Sequence, residues 1–241
     1  MLRVDQVTVK RGSSFALEDI SLSLAPGRTL AVVGESGAGK STLIVTILGL
    51  VKPWKGDITW AGDSVTSCAP ALVMQEPRAA FNPLLSLHRS VMEPMAARKE
   101  VASSERIARL CDGLELSRDI FDRRPGEVSV GQAQRAAIFR ALIAAPTLVL
   151  LDEPLSALDA VTQKHTAKLI ADLQREEGFA ALIVTHDLGY AMAHADEIAV
   201  LKSGRIEEIS HPEIFAKAPR SDYCRKLRDA AIALGALEIS E

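Results

Sequence analysis

Aromatic residues are scarce in this sequence: Phe, Trp and Tyr together make up 4% of the 241 residues. The hydrophobic residues, 48% of the total, are therefore mostly aliphatic, as in α/β proteins with Ala-, Leu-, Val- and Ile-rich cores. The three cysteines, Cys68, Cys111 and Cys224, lie too far apart for a metal-ligand or Cys-x-x-Cys spacing. We therefore expect reduced thiols that serve as small core or surface residues.

A long apolar run is also missing. A membrane-spanning helix needs about 20 apolar residues, and the longest candidate, 141–151, is interrupted by Pro146. The formal net charge of -3 argues against a strongly basic surface for nucleic acid. We therefore expect no membrane span and no nucleic-acid partner, so that any membrane association would depend on a partner protein.

The most informative stretch is a glycine-rich segment between a predicted strand and a predicted helix. Residues 28–33 form an apolar run typical of a buried strand, and residues 41–50 have a helical pattern. Lys40 in this segment would reach the β- and γ-phosphates of a nucleotide, and the Ser41 hydroxyl would bind Mg²⁺. The segment matches the phosphate-binding pattern G-x-x-x-x-G-K-[ST] with a further hydroxyl residue behind it, and comprises Gly34, Glu35, Ser36, Gly37, Ala38, Gly39, Lys40, Ser41 and Thr42.

Acidic residues follow a second apolar strand, 147–151. At that strand end, Asp152 would hold the Mg²⁺ shell and Glu153 would polarise a water for attack on the γ-phosphate. Acids at strand ends also cap the next helix, and Asp159, in the segment that begins at Ser156, is predicted to be such an N-cap. These residues thus have a structural as well as a catalytic interpretation.

Two further polar sites lie at element ends. His186 follows the apolar strand 181–184, at the sheet edge where ligands bind in open α/β folds, and would donate to the γ-phosphate there. A purely structural histidine is the alternative. Ser129 opens a predicted helix over 129–145, either as an ordinary N-cap or as part of a second phosphate-binding helix N-terminus.

The order of elements predicts an α/β fold. Continuous apolar strands that alternate with helices indicate a parallel sheet covered on both faces, whereas the alternating patterns at 2–9 and 20–24 indicate antiparallel strands. Residues 89–116 have a helical pattern. We predict an α/β core of residues 1–76 and 131–210, an inserted helical segment of residues 77–130 and a helical tail of residues 211–241.

Taken together, these motifs resemble the nucleotide-binding subunit of an ABC transporter over nearly the whole chain. Gln75 matches the glutamine loop of that family, and Ser156 and Asp159 match its D-loop. The resemblance implies a P-loop NTPase (RecA-like) core with an antiparallel β subdomain and an inserted α-helical subdomain. It also places the family's signature at Ser129, Val130, Gly131 and Gln132.

The same resemblance implies ATP hydrolysis with Mg²⁺. The implied catalytic residues are Glu153, His186 and Gln75, and the implied magnesium ligands are Ser41, Gln75 and Asp152. In this family, two such subunits close head to tail around two ATP molecules. The signature of each subunit then completes the site built on the phosphate loop of the other.

A narrower resemblance, carried by residues 73–83 and 211–223, points to the oligopeptide/nickel importer group. Peptides, nickel and metal–chelator complexes all remain open as cargo. The implied partners are a second ATPase subunit (a different chain or a second copy), transmembrane permease subunits and, indirectly, an extracytoplasmic substrate-binding protein. The implied location is the cytoplasmic face of the inner membrane, as a peripheral protein.

Two positions depart from the family pattern. Val130 replaces the first of two signature glycines, and a β-branched side chain there restricts close approach of a phosphate. The position that stacks on adenine aligns with Arg11, with Phe15 nearby. The alternatives to an active importer subunit are a subunit that mainly gates its partner and a non-transport ABC ATPase.

Overall fold

The structure, a computed structural model, describes residues 1–12 and 14–233. The strands are β1 (Leu2–Arg11), β2 (Ser14–Leu24), β3 (Thr29–Val33), β4 (Lys55–Trp60), β5 (Asp63–Ser64), β6 (Ala71–Val73), β7 (Leu148–Asp152), β8 (Ala180–Thr185), β9 (Glu197–Lys202) and β10 (Arg205–Ser210). The α-helices are α1 (Lys40–Ile47), α2 (Leu87–Val91), α3 (Glu93–Arg98), α4 (Ser104–Gly113), α5 (Val130–Leu142), α6 (Ala160–Glu177), α7 (Leu188–His194), α8 (Pro212–Lys217) and α9 (Asp222–Ala233).

These elements form two compact units. The first contains residues 1–70 and the segment from residue 180 onward, and the second contains residues 71–179. Within the part of the chain that the structure describes, no helix combines the length and hydropathy needed to cross a bilayer. The segment 77–130, predicted as a helical insert, lies wholly inside the second unit.

The first unit contains an antiparallel sheet and a second group of strands, β3, β8, β9 and β10, that are mainly parallel. The antiparallel strands follow the order β2-β1-β4-β5, and the core-facing residues Leu2, Val4, Val7 and Val9 of β1 are buried. Strand β3 is parallel to both β8 and β9, and β10 pairs antiparallel with β9. All five residues of β3 are buried, as expected for a parallel strand covered on both faces.

Helices α7, α8 and α9 cover this part of the first unit. Phe215 and Cys224 are fully buried in one apolar cluster with Val33 of β3 and Val200 of β9. Burial raises the pKa of the Cys224 thiol, as it does for the buried Cys111 of the second unit. Both thiols are therefore core residues, as predicted, while Cys68 is half-buried and donates to the Val65 carbonyl.

In the second unit β6 and β7 pair in parallel, and the same unit contains helices α2 to α6. The prediction of one helical stretch over 89–116 is wrong, because α2 ends at Val91 and α3 ends at Arg98. Pro94 lacks the N–H that would continue the ladder from α2. Lys99 has a left-handed φ of 57°, which ends α3.

A largely buried ion pair joins three helices of the second unit. Arg106 of α4 pairs with Glu177 at the end of α6 at 2.7 Å, and the two side chains are only 18% and 10% exposed. The same guanidinium donates to the carbonyl groups of Leu142 and Ile143 at the end of α5. It thereby satisfies helix-terminal acceptors that would otherwise lack partners.

The predicted fold class is confirmed. The strands around the glycine-rich loop are parallel, and β1 and β2 are antiparallel. A turn at Gly204 connects β9 to β10. The patterns succeeded because each of these strands is either buried on both faces or clearly half-buried.

Candidate functional site

The glycine-rich loop joins the carboxyl end of β3 to α1, as predicted. Gly37 and Gly39 have left-handed φ angles of 83° and 110°, which side chains rarely tolerate. Gly39 is the N-cap residue of α1, and its carbonyl accepts from the Leu43 N–H at 3.0 Å. The loop therefore delivers the backbone to a helix N-terminus, where unpaired N–H groups favour an anion.

Lys40 is buried within this loop, with 8% of its surface exposed. Its ammonium donates to the carbonyl oxygens of Gly34 at 2.8 Å and Glu35 at 3.1 Å. A buried cation needs such acceptors. Charged phosphate oxygens form stronger hydrogen bonds to an ammonium than neutral carbonyl oxygens do. An incoming phosphate would therefore attract the Lys40 ammonium that the loop holds.

The end of β9 and the β9–β10 turn both contact the glycine-rich loop. The N–H of Gly204, in the β9–β10 turn, donates to the Ala38 carbonyl at 2.9 Å. Gly34 lies so close to β9 that a Cβ atom there would be 2.1 Å from the Leu201 carbonyl oxygen. The shape of the phosphate loop therefore depends on β9 and β10 as well as on its own glycines.

His186 lies beside this loop within the first unit. Val33 of β3 is paired with Thr185 of β8, so Gly34 and His186 each follow directly on neighbouring parallel strands. The His186 side chain is exposed. Asp187 caps α7 by accepting the Tyr190 N–H at 2.9 Å. The sequence-based placement of a histidine at this sheet edge therefore agrees with the structure.

The second unit brings another set of predicted residues to one strand edge. Val73 of β6 is paired with Leu151 of β7. Asp152 comes directly after Leu151, and Gln75 comes two residues after Val73. Because both strands run in the same direction, Gln75 and Asp152 lie at the same end of this strand pair.

Glu153 follows β7 in an unusual backbone conformation. Its φ of 48° is left-handed, which is rare for residues other than glycine and is common at functional sites. Its carbonyl accepts from both the N–H and the hydroxyl of Ser156, at 3.2 and 3.1 Å. These two bonds hold the turn, and the Glu153 side chain is half-buried.

Asp159 is the N-cap of α6, as predicted. Its carboxylate accepts from the N–H groups of Val161 and Thr162 and from the Thr162 hydroxyl at 2.7 Å. The hydrogen bonds from Thr162 lower the pKa of Asp159.

The first turn of α6 also lies close to α5, because the methyl group of Thr162 is 3.2 Å from the place that a Cβ on Gly131 would occupy. Gly131 therefore allows the first turns of α5 and α6 to approach closely.

The start of α5 carries the predicted signature residues. Ser129 accepts from the Gln132 N–H at 3.1 Å, and the Gln132 side chain accepts from the Ser129 N–H at 2.9 Å. The N-cap prediction for Ser129 is therefore confirmed. Val130, the first residue of α5, is half-buried and sits beside the cap. A branched side chain thus occupies a helix N-terminus that glycine would leave open.

Sequence reasoning missed a link between this helix and the segment after Gln75. Arg78 donates to the carbonyl of Val128, the residue before Ser129, at 2.5 Å. Arg140 of α5 donates to the Ala80 carbonyl, and its guanidinium lies 5.0 Å from the Phe81 ring centroid. These contacts join residues separated by 50 and 60 positions, for which local patterns give no signal.

Arg11 and Phe15 lie on opposite faces of the β1–β2 strand pair. Lys10 is paired with Phe15, and Arg11 is paired with Ser14, the residue before Phe15. Side chains alternate along a strand, so Arg11 points away from Phe15. The Phe15 ring instead forms an exposed group with Trp54, whose centroid is 6.3 Å away, and with Lys10. The two candidates for base stacking therefore lie on different faces of the strand pair.

Comparison with known proteins places this site in a family. Residues 17–156 match the family model described as ABC transporter. The chain is 34% identical over 231 residues to the oligopeptide transport ATP-binding protein OppF of Escherichia coli, with 89% of this chain and 69% of OppF covered. It is 36% identical over 205 residues to the nickel import ATP-binding protein NikE of Shigella boydii, with 80% and 76% covered.

Longer relatives match over part of their length. The chain is 37% identical over 228 residues to the glutathione import ATP-binding protein GsiA of Pectobacterium atrosepticum, where 89% of this chain spans 37% of the relative. Among solved structures, the dimeric post-hydrolysis state of the ATP-binding cassette MJ0796, bound to ADP and Pi, superposes with a TM-score of 0.76 and 28% identity. That match covers 88% of this chain and 99% of the other. On this combination of phosphate loop, fold and sequence identity, the chain belongs to the ABC transporter family.

Proposed function

We propose that this chain hydrolyses ATP to energise an ABC importer of the peptide, nickel or metal–chelator type. The observation that carries the proposal is the phosphate loop, in which a buried Lys40 ammonium lies beside the N-terminus of α1. The relatives named for oligopeptide, glutathione and nickel import support the transporter type. Arg11 is the proposed stacking partner of the adenine base.

Within this proposal, Lys40 binds the β- and γ-phosphates, and Glu153 accepts the proton of the attacking water. Gln75 and His186 hold the water and the γ-phosphate. The Ser41 hydroxyl, the Gln75 amide oxygen and the Asp152 carboxylate are hard oxygen donors of the kind that Mg²⁺ prefers, and each would contribute a ligand to the ion. When bound, Mg²⁺ supplies positive charge that offsets the negative charge of the phosphates.

The proposed working assembly contains two cassettes that close head to tail. Ser129, Val130, Gly131 and Gln132 of each would face the ATP held by the other, next to the D-loop residues Ser156 and Asp159. The dimeric cassette with ADP and Pi among the structural relatives supports a dimer of two cassettes. Permease subunits are the membrane partners, an extracytoplasmic binding protein delivers the cargo, and the chain lies on the cytoplasmic face of the membrane.

An asymmetric dimer is the second candidate, favoured by Val130. Because Val130 occupies the first position of α5, the site completed by this signature should be poor, while the chain's own phosphate loop is complete. We expect Val130→Gly to about double the ATPase rate of the assembled transporter, since two sites instead of one then contribute to turnover. An unchanged rate, measured as phosphate release per complex, would contradict the weak-site hypothesis.

The importer proposal is tested by reconstituting the full chain with its membrane subunits in vesicles and measuring phosphate release from MgATP. Hydrolysis that rises when the cargo-loaded binding protein is added supports an importer. Hydrolysis that proceeds at the same rate without any membrane subunit, and does not respond to them, would favour a function outside transport.

A further inference from the structure

We infer that Arg78 is a positioning residue for the signature, because its guanidinium holds the peptide group from which Ser129 begins α5. The inference rests on the proposed function, since it assigns a further residue to the ATP site that this signature would complete on a second cassette. Arg78 and Val128, the residue before Ser129, are 50 positions apart in the sequence. Both lie in the second unit, and the fold of that unit brings them together.

The peptide group that joins Val128 to Ser129 is held on both sides. Its carbonyl oxygen, which belongs to Val128, accepts from the Arg78 guanidinium at 2.5 Å. Its N–H, which belongs to Ser129, donates to the Gln132 side chain at 2.9 Å. A charged donor on the carbonyl oxygen polarises the peptide group and so strengthens the hydrogen bond that its N–H donates. The orientation of this peptide group is therefore set by Arg78 as well as by the helix itself.

The direction of the Ser129 hydroxyl depends on this peptide group. The group is planar, so its rotation changes ψ of Val128 and φ of Ser129 together, and the Ser129 side chain moves with them. Ser129 has a φ of -66° and a ψ of 162°, the extended backbone typical of an N-cap. Its oxygen accepts from the Gln132 N–H at 3.1 Å, and a hydroxyl that accepts one bond can still donate its own proton, here to a phosphate oxygen of the second cassette's ATP.

Arg78 extends from a backbone turn that is itself fastened to α5. The turn is a short 3-10 helix, Arg78–Ala80. Arg140, near the end of α5, donates to the Ala80 carbonyl, and its guanidinium lies 5.0 Å from the ring centroid of Phe81. The Phe81 side chain is buried. A shift of this turn along α5 would break these contacts, so Arg78 reaches the start of the helix from a fixed base.

Arg98 provides a matched control at the other end of α5. Its guanidinium donates to the Ala144 carbonyl at 2.8 Å, within the same unit as Arg78. Arg98→Ala and Arg78→Ala each remove one hydrogen bond from a guanidinium to a backbone carbonyl, so urea denaturation should give similar losses of stability. A difference between the two variants at the signature then reflects the position of the arginine and not a general loss of stability.

The first test is hydrogen exchange of the Ser129 amide, followed by NMR on the full chain. Arg78→Ala should speed this exchange about three- to tenfold, because the bond from the Ser129 N–H to Gln132 is weakened. Arg78→Lys keeps a charged donor and should retain most of the protection. Arg98→Ala should leave the exchange of Ser129 unchanged. An unchanged exchange rate in Arg78→Ala would overturn the inference.

The second test is phosphate release by the reconstituted transporter carrying Val130→Gly, in which both ATP sites contribute whether or not Val130 weakens one of them. Arg78→Ala should lower kcat there at least about twofold, because the site completed by this signature is lost, and Arg78→Lys should restore most of the rate. MgADP binding by the full chain, which reports on its own phosphate loop, should be unchanged in calorimetric titration.

Equal rates for Arg78→Ala and its Val130→Gly parent would overturn the inference. An equal loss of rate in Arg98→Ala would overturn it as well, because the effect would then come from general destabilisation. A Val130→Gly transporter that hydrolyses no ATP would instead contradict the proposed function. In that event the exchange of the Ser129 amide still decides whether Arg78 holds the start of α5.

Discussion

Replacing Glu153 with Gln should lower kcat for ATP hydrolysis by at least about 100-fold, the size of effect expected when a general base is removed. The amide has nearly the same shape as the carboxylate but cannot accept the proton of the attacking water. The left-handed turn at Glu153 depends on its carbonyl bonds to Ser156, which the substitution leaves intact. MgATP binding should therefore persist, and the measurement is phosphate release by the assembled transporter.

Glu176→Gln is the matched control for this prediction, because Glu176 is an exposed acid of α6 in the same unit. It should leave the rate unchanged. Full activity of the Glu153→Gln complex would favour the alternative of a subunit that mainly gates its partner, and it would contradict the asymmetric dimer as well, because there the site of this chain is the active one. With hydrolysis slowed, the Glu153→Gln chain should also accumulate as a closed dimer in MgATP if it pairs with itself, which a mass measurement in solution would detect.

Replacing Gly34 with Ala should lower the free energy of unfolding by about 3 kcal/mol, at the upper end of the range for overpacked sites, and abolish nucleotide binding. A Cβ atom at this position would lie 2.1 Å from the Leu201 carbonyl oxygen, far inside contact distance. That oxygen belongs to the backbone of β9, which is paired with β3 and cannot move as a flexible side chain would. Urea denaturation of the full chain measures the loss.

Gly37→Ala separates steric conflict from backbone strain. A Cβ atom on Gly37 would have no neighbour within 4 Å, although its φ is 83°. The left-handed conformation alone should cost about 1–2 kcal/mol. Gly34→Ala and Gly37→Ala proteins of equal stability would contradict the claim that β9 constrains the loop.

The sequence was sufficient to predict the phosphate loop and its flanking elements, for local reasons. Strands β3, β7 and β8 are almost wholly buried, so their apolar runs stand out, and the glycines of the loop punctuate the pattern. Asp159 and Ser129 were predictable as N-caps because capping is a contact between near neighbours in the sequence.

Other features depend on long-range packing and gave no local signal. The helical pattern over 89–116 is broken at Pro94 and at Lys99. Of these two residues only the proline is a recognised helix breaker, and the helical pattern around it outweighs that signal in the sequence. The hydrogen bonds of Arg78 to the Val128 carbonyl and of Arg140 to the Ala80 carbonyl join distant positions. Such residues become candidates only when the fold has placed them side by side.

The phosphate loop is tested most directly by a calorimetric titration of the full chain with MgATP in the Glu153→Gln background, where the nucleotide stays intact. We expect saturable binding of one MgATP per chain, and loss of that binding when Lys40→Ala is added. Lys52→Ala, which removes an exposed lysine of the same unit, should have no effect. A chain that binds no MgATP, or that binds it equally well without Lys40, would contradict the assignment of the phosphate loop as the nucleotide site.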